Sequence, residues 1–318
     1  MAGIWVFAEN RNQVLELLSA GRGLADGLGG GLVAFAADRE LAGDYLDCGA
    51  DRVFLLPALP PEQPFESLVP VLADAAREED PDIILIGASS RGKEIGARLA
   101  ASLNSGLCSG CIGFELDSSA KTLKMDRLVF GGAGVQTVVC TRRPQIATVP
   151  PKTFDPAQPG RGGAGEILEL KAPPPSPVRV VGRLPRQRGS VDITEARIVV
   201  CAGRGLEKKE DIDLVRRLAE VLGAEVGCSR PVAEELGWLP EDVYLGISGK
   251  KVKPSLYIGV GVSGQVQHVT GIRDSKVIMA INRDENAPIF DAADYGIVGD
   301  LYQVVPRLIE ELKSALGA

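Results

Sequence analysis

The chain has 318 residues, 45% hydrophobic and 24% charged, a length that suits two cores better than one. Its net charge of −7 argues against a broad basic surface for nucleic acid. No apolar run approaches the roughly 18 residues of a membrane span, and residues 1–10 lack the basic flank of a signal peptide, so a cytoplasmic protein is expected.

Short apolar runs alternate with amphipathic stretches through the first half. Strands are predicted at 3–7, 31–35, 52–56 and 82–86, and helices at 13–28, 41–48, 67–79 and 93–103. Pro70 falls in a first helical turn, where its missing N–H costs little. The near-continuous apolar run 82–86 has the character of a strand buried on both faces of a parallel sheet. From 110 to 149 the pattern changes to strands at 126–130 and 136–140, joined through a glycine-rich turn at 131–134. Prolines at 150, 151, 173, 174, 175 and 177 then lead through basic, turn-prone residues to a domain boundary near 190. The α/β pattern restarts with a strand at 196–202 and a helix at 208–222, whose stripe is Ile212, Val215, Leu218, Ala219 and Leu222. Strands at 256–260 and 277–282 and a helix at 301–316 complete it. The fold class is therefore α/β in two domains, 1–189 with a mainly parallel sheet and 190–318.

Six cysteines lie scattered, which suits reduced thiols rather than a disulfide framework. Cys108 and Cys111 form a C-x-x-C without the second pair that a zinc site needs, and read as small, semi-buried side chains. His268 is the single histidine, so a multi-histidine metal centre is excluded and any imidazole chemistry must use this residue.

Gly259, Gly261 and Gly264 match G-x-G-x-x-G after a predicted strand, with Asp284 some 20 residues on. Two readings stand: a nucleotide phosphate turn or a simple glycine turn. Polar Ser263, Gln265, Gln267 and His268 crowd the turn. Polar residues also follow other strand ends: Arg204 after 196–202, Ser229 and Arg230 after 224–226, and Asn282 and Asp284 after 277–281. Ligands of open α/β sheets sit beyond such ends. In the first domain, the small-residue loop 87–92 before a helix could hold an anion.

The stretch 229–301 closely resembles the FAD domain of electron transfer flavoprotein alpha subunits. The matching words are SRP at 229–231, GISGKKVKPSLYI at 246–258, GVSGQVQH at 261–268, AIN at 280–282 and APIFDAADYGIVGDL at 287–301, in family order. GRG at 203–205 fits as well, and the first half fits more loosely. The resemblance implies a C-terminal FAD-binding domain with a doubly wound, flavodoxin-like or DHS-like sheet, and an N-terminal domain that packs with a beta subunit in a heterodimer. It implies that Arg230, Ser248 and His268 tune the flavin: Arg230 at its reactive edge, Ser248 at N5 and His268 near O2 through a hydrogen bond, with charge as a further contribution. Arg204, Ser229, Ser263, Asn282 and Asp300 match residues that hold the rest of FAD, and Leu245, Gly246, Ile247, Gly264, Gln265, Val266, Gln267 and Leu301 join them along the binding segments. The family carries single electrons from dehydrogenases, such as acyl-CoA dehydrogenases, to a quinone oxidoreductase, ferredoxin or flavodoxin. Gln265, where the family often has Ala, and Pro231 resemble a branch that includes members bifurcating electrons from NADH. The competing readings are a stand-alone NAD-dependent dehydrogenase with His268 as base, and a non-redox nucleotide-binding module.

Overall fold

The computed structural model describes residues 3–160, 165–183 and 192–316. The chain divides into two compact units, Met1–Pro185 and Arg186–Ala318, each with its own apolar core.

The first unit runs β1 (Gly3–Phe7), α1 (Arg11–Leu28), β2 (Gly31–Ala36), α2 (Arg39–Asp47), β3 (Arg52–Leu55), α3 (Val69–Glu79), β4 (Ile83–Gly87) and α4 (Ser90–Ser102). It continues with strands β5 (Leu107–Cys108), β6 (Cys111–Asp117), β7 (Thr122–Val129), β8 (Gly134–Val139), β9 (Gln145–Val149) and β10 (Glu166–Glu169). Seven strands form a parallel sheet in the order β10-β3-β2-β1-β4-β9-β5. Its central strands β1, β4 and β9 are buried at every position, as continuous apolar runs covered on both faces must be. Asn10 caps α1 by accepting from the Asn12 N–H, and Gly29 ends it at φ 65°, where glycine carries no Cβ penalty. Pro70 stands in the first turn of α3, as the sequence suggests.

Strands β6, β7 and β8 make a separate antiparallel sheet. The sequence predicts the last two and misses β6, whose polar residues break the apolar pattern. Cys108 and Cys111 are both buried.

Two features of this unit bear on function. The sheet order reverses between β1 and β4, and Glu9 from the end of β1 fills that position. Its carboxylate accepts from Ser89 Oγ (2.5 Å) and pairs with Arg91 (2.6 Å), at the start of α4. The loop 87–92, which could hold an anion, thus has a carboxylate of the chain itself bound to its Ser89 and Arg91 side chains. The proline-rich stretch, in turn, does not hang free as a linker. Gln63 Nε2 donates to the Pro174 carbonyl (2.9 Å), the Val180 N–H to Glu62 (2.8 Å) and Arg183 to Pro61 (3.4 Å). The turn-prone residues 184–189 lie outside the described residues.

The second unit runs β11 (Ile198–Ala202), α5 (Ile212–Leu222), β12 (Glu225–Ser229), β13 (Tyr244–Leu245), β14 (Leu256–Val260), α6 (Val266–Val269), β15 (Ile278–Asn282), α7 (Ile289–Ala292), β16 (Tyr295–Val298) and α8 (Leu301–Leu316). The parallel sheet has the order β13-β12-β11-β14-β15-β16. Counted from the first strand this is 3-2-1-4-5-6, the doubly wound order whose ligand crevice opens between strands 1 and 4. Helices α5 and α8 pack together, and Tyr302 pins them by donating to Asp211 (2.5 Å) and accepting from the Glu207 N–H (2.9 Å). Among the described residues, no helix is long and apolar enough to cross a membrane.

Candidate functional site

The crevice between β11 and β14 is built on glycine. The Gly203 N–H bonds to Val260 O (2.8 Å) and the Gly205 N–H to Gly261 O (2.9 Å), stitching the two loops together. A Cβ at position 203 would lie 2.1 Å from Gly261 O, so only glycine allows the approach. Gly264, at φ 83°, packs its backbone on Ile289 in the same way. Gly261 and Gly264 of the G-x-G-x-x-G motif thus serve loop packing. The helix that follows, α6, has four residues, so the long phosphate-binding helix of a nicotinamide fingerprint is not formed. The sequence match could not show this, because it carries no information on helix length.

Other strand ends open onto the same crevice. At the end of β12 stand Ser229, buried with its Oγ lacking a partner, and then Arg230. Arg230 is not a free cation. It leads into a single wide turn, Pro231–Glu235, and its Nε donates to Glu234 (2.5 Å) with the side chain 63% exposed. Arg204 likewise reaches Glu235 at 3.5 Å. After β13 the backbone turns through Gly246 at φ 149°, and the Ile247 N–H bonds to Gln267 O (2.8 Å), which ties the loop with Ser248 to the loop with Gln265. After β15, Asn282 donates to Val262 O (2.9 Å) and accepts from the Asp284 N–H (3.0 Å), so its amide braces the rim.

His268, 7% exposed, takes a 2.8 Å hydrogen bond between Nε2 and the Tyr257 hydroxyl. Burial pushes its pKa down to about 4, opposed by the nearby Leu245 main chain, which does not complete a hydrogen bond to Nδ1. The ring is therefore neutral near pH 7. In this structure desolvation outweighs the opposing contact, so the ring brings hydrogen-bonding capacity rather than charge.

These ends enclose a cleft of about 930 Å³, within the range of small-molecule sites. Of the residues that the sequence points to, Arg204, Ser229, Arg230 and the run 245–248 line it, as do Ser263, Gln265, Gln267, His268 and Asn282. Gly264, Val266, Asp300 and Leu301 do not line it. Gly264 packs beneath it, Val266 faces outward, Asp300 caps α8 by accepting from the Tyr302 N–H (2.9 Å), and Leu301 is buried. Tyr244 lines the cleft without a sequence signal of its own, and Glu235 does so four residues beyond the SRP word; Ala287 and Pro288, which open the word at 287–301, line it too.

The donor set suits a long ligand with an anionic centre: two arginines at one rim, main-chain loops along the floor, and two buried polar atoms, Ser229 Oγ and His268 Nδ1, without partners in the protein. The residues present therefore fit a flavin dinucleotide. Residues 4–175 match the family model of the electron transfer flavoprotein domain, and 192–273 match that of the electron transfer flavoprotein FAD-binding domain.

The chain belongs to the electron transfer flavoprotein alpha family. Its cofactor is FAD, and like other alpha-type electron transfer flavoproteins it forms a heterodimer with a beta subunit and exchanges electrons with redox partners. It is similar to a protein named FixB from Clostridium saccharobutylicum, at 39% identity over 99% of this chain and 98% of that one. Another FixB, from Escherichia coli O81 (strain ED1a), is 36% identical over 97% of each. A solved structure from Mycobacterium smegmatis, described as that of a thiamin diphosphate-dependent enzyme, has a TM-score of 0.23 and 14% identity over 96% of this chain and 59% of that one, too distant to bear on the fold.

Proposed function

We propose that this chain seats FAD in the cleft between β11 and β14 and carries single electrons from a dehydrogenase, such as an acyl-CoA dehydrogenase, to a quinone oxidoreductase, ferredoxin or flavodoxin in the cytoplasm. The observation that carries the reading is a cleft at the switch point of a doubly wound sheet, two of whose lining residues, Ser229 and His268, each hold a buried polar atom without a partner in the protein. Bound FAD supplies the one-electron chemistry. The protein supplies recognition and electrostatics. Arg204 and Arg230 offer charge to anionic groups at the rim, each already half-satisfied by a glutamate. Ser248 sits on the loop held by the Ile247–Gln267 bond and presents a hydroxyl, while His268 contributes a neutral hydrogen-bonding group. The domain division 1–189 and 190–318 assigns the cofactor to the second domain and the beta-subunit contact to the first.

NADH-dependent bifurcation is favoured by one observation: Gln265 and Pro231, the positions that set this chain apart from much of the family, both line the cleft. A visible spectrum and flavin count on the chain co-purified with its beta partner tests both readings. One FAD per heterodimer supports the single-electron carrier, and two support bifurcation. A colourless heterodimer that cannot be reconstituted with FAD would sink the proposal.

A further inference from the structure

Behind His268 lies a group of residues outside the set assigned to the cofactor. Tyr257, on β14, is wholly buried. Its ring leans over Gly259, two residues along the same face. A Cβ at 259 would stand 3.2 Å from the ring and 3.3 Å from the hydroxyl oxygen, so the glycine makes room for the phenol. Gly259 pairs across the sheet with Cys201 of β11, which brings the buried thiol to the same place. His268 Nε2 is 2.8 Å from Tyr257 Oη and 3.9 Å from Cys201 Sγ.

A neutral imidazole has one donor and one acceptor nitrogen, while a phenol can play either part and a thiol plays both weakly. Two arrangements close this group. In one, Cys201 S–H donates to Tyr257 Oη, and Tyr257 O–H donates to Nε2. In the other, Nε2–H donates to the phenol oxygen and the phenol proton is spent on sulfur, the poorest acceptor present. The first gives each atom its stronger role.

We infer that Tyr257 is a positioning residue for the cofactor site: its hydroxyl donates to His268 Nε2 and keeps the ring's one proton on Nδ1, the nitrogen left without a protein partner. This rests on the reading of the cleft as an FAD site. With Nε2 accepting from Tyr257 and the proton on Nδ1, any hydrogen bond that the ring makes to a ligand is one it donates, which suits an electron-rich oxygen. With the opposite tautomer it would offer a lone pair and repel that oxygen.

The test is nitrogen-15 NMR of the imidazole in the heterodimer, FAD-free and FAD-loaded, with the signal assigned by its loss in His268→Gln. The native protein should show a protonated Nδ1 and a bare Nε2. Tyr257→Phe removes one oxygen and keeps the ring. It should move the proton toward Nε2, weaken FAD binding about five- to tenfold and lower the flavin potential, whereas Cys201→Ser, which retains a donor, should keep the native tautomer. A proton on Nε2 in the native protein overturns the inference, even if Tyr257→Phe does not fold. So does a Tyr257→Phe protein with native tautomer and potential. Failure of FAD to bind would instead count against the FAD reading, and the FAD-free spectrum would still decide the role of Tyr257.

Discussion

At the scale of single residues, the cations of the site are set by their neighbours. Arg230 pairs with Glu234 four residues on, a geometry that lowers the field it can project onto a ligand. Arg230→Ala should lower the flavin potential, and Glu234→Gln should raise it. The expected shifts are on the order of tens of millivolts, about 59 mV being a tenfold change for one electron. A redox titration of the three proteins checks this, and potentials that move in the same direction would refute the pairing. His268 makes a second case. Its pKa falls from an unfolded value near 6.5 to about 4, so between these values the unfolded chain binds more protons than the folded one. Stability from this residue is complete above about pH 6.5 and is lost as the pH falls toward 4, at about 1.4 kcal/mol per unit. Denaturation curves of native protein and His268→Asn across this range should diverge with that slope. The sequence singles out His268, since it is the only histidine and stands in a family word. It did not show the ring's neutrality, because Tyr257 and Cys201 lie 11 and 67 residues away and meet it only in the folded sheet.

Among elements, legibility followed apolar continuity. Strands β4 and β14 are unbroken apolar runs and were found within a residue of their ends. The edge strand β16 alternates little, is largely exposed and was missed, as was the two-residue β13. The cleft itself depends on loops that approach closely rather than on the strands. Gly203→Ala should force Gly203 and Gly261 apart, destabilising the second unit by about 3 kcal/mol and weakening FAD binding, as thermal melting and a flavin titration would show. In the first unit, β4 begins beside Asp82, which is 1% exposed and bonded to Arg143, with its second oxygen unpartnered. Arg143→Ala leaves a buried carboxylate without its cation and should cost about 3 kcal/mol or more in a denaturant titration. An effect below 1 kcal/mol would mean that water replaces the arginine.

Over the whole molecule, two units with separate cores predict two responses to the cofactor. In calorimetry, FAD at a hundredfold excess over Kd should stabilise the second unit by about 2.7 kcal/mol and leave the first unchanged. Equal shifts in both would show that they unfold as one. The two-unit plan was legible from the restarted strand–helix alternation. The docking of 174–183 onto Pro61, Glu62 and Gln63 was not, because a proline-rich composition looks the same whether the segment is tethered or free.

Glu9 gives the comparison of the units its sharpest consequence. Both sheets reverse their strand order beside the first strand, so the chain repeats one architectural mouth twice. In the second unit the mouth stands open. In the first it is corked by a tethered carboxylate, at zero dilution and with no partner to dissociate. A ligand's anionic group at the first mouth would have to displace that carboxylate from Ser89 and Arg91, whereas at the second it meets an open cleft.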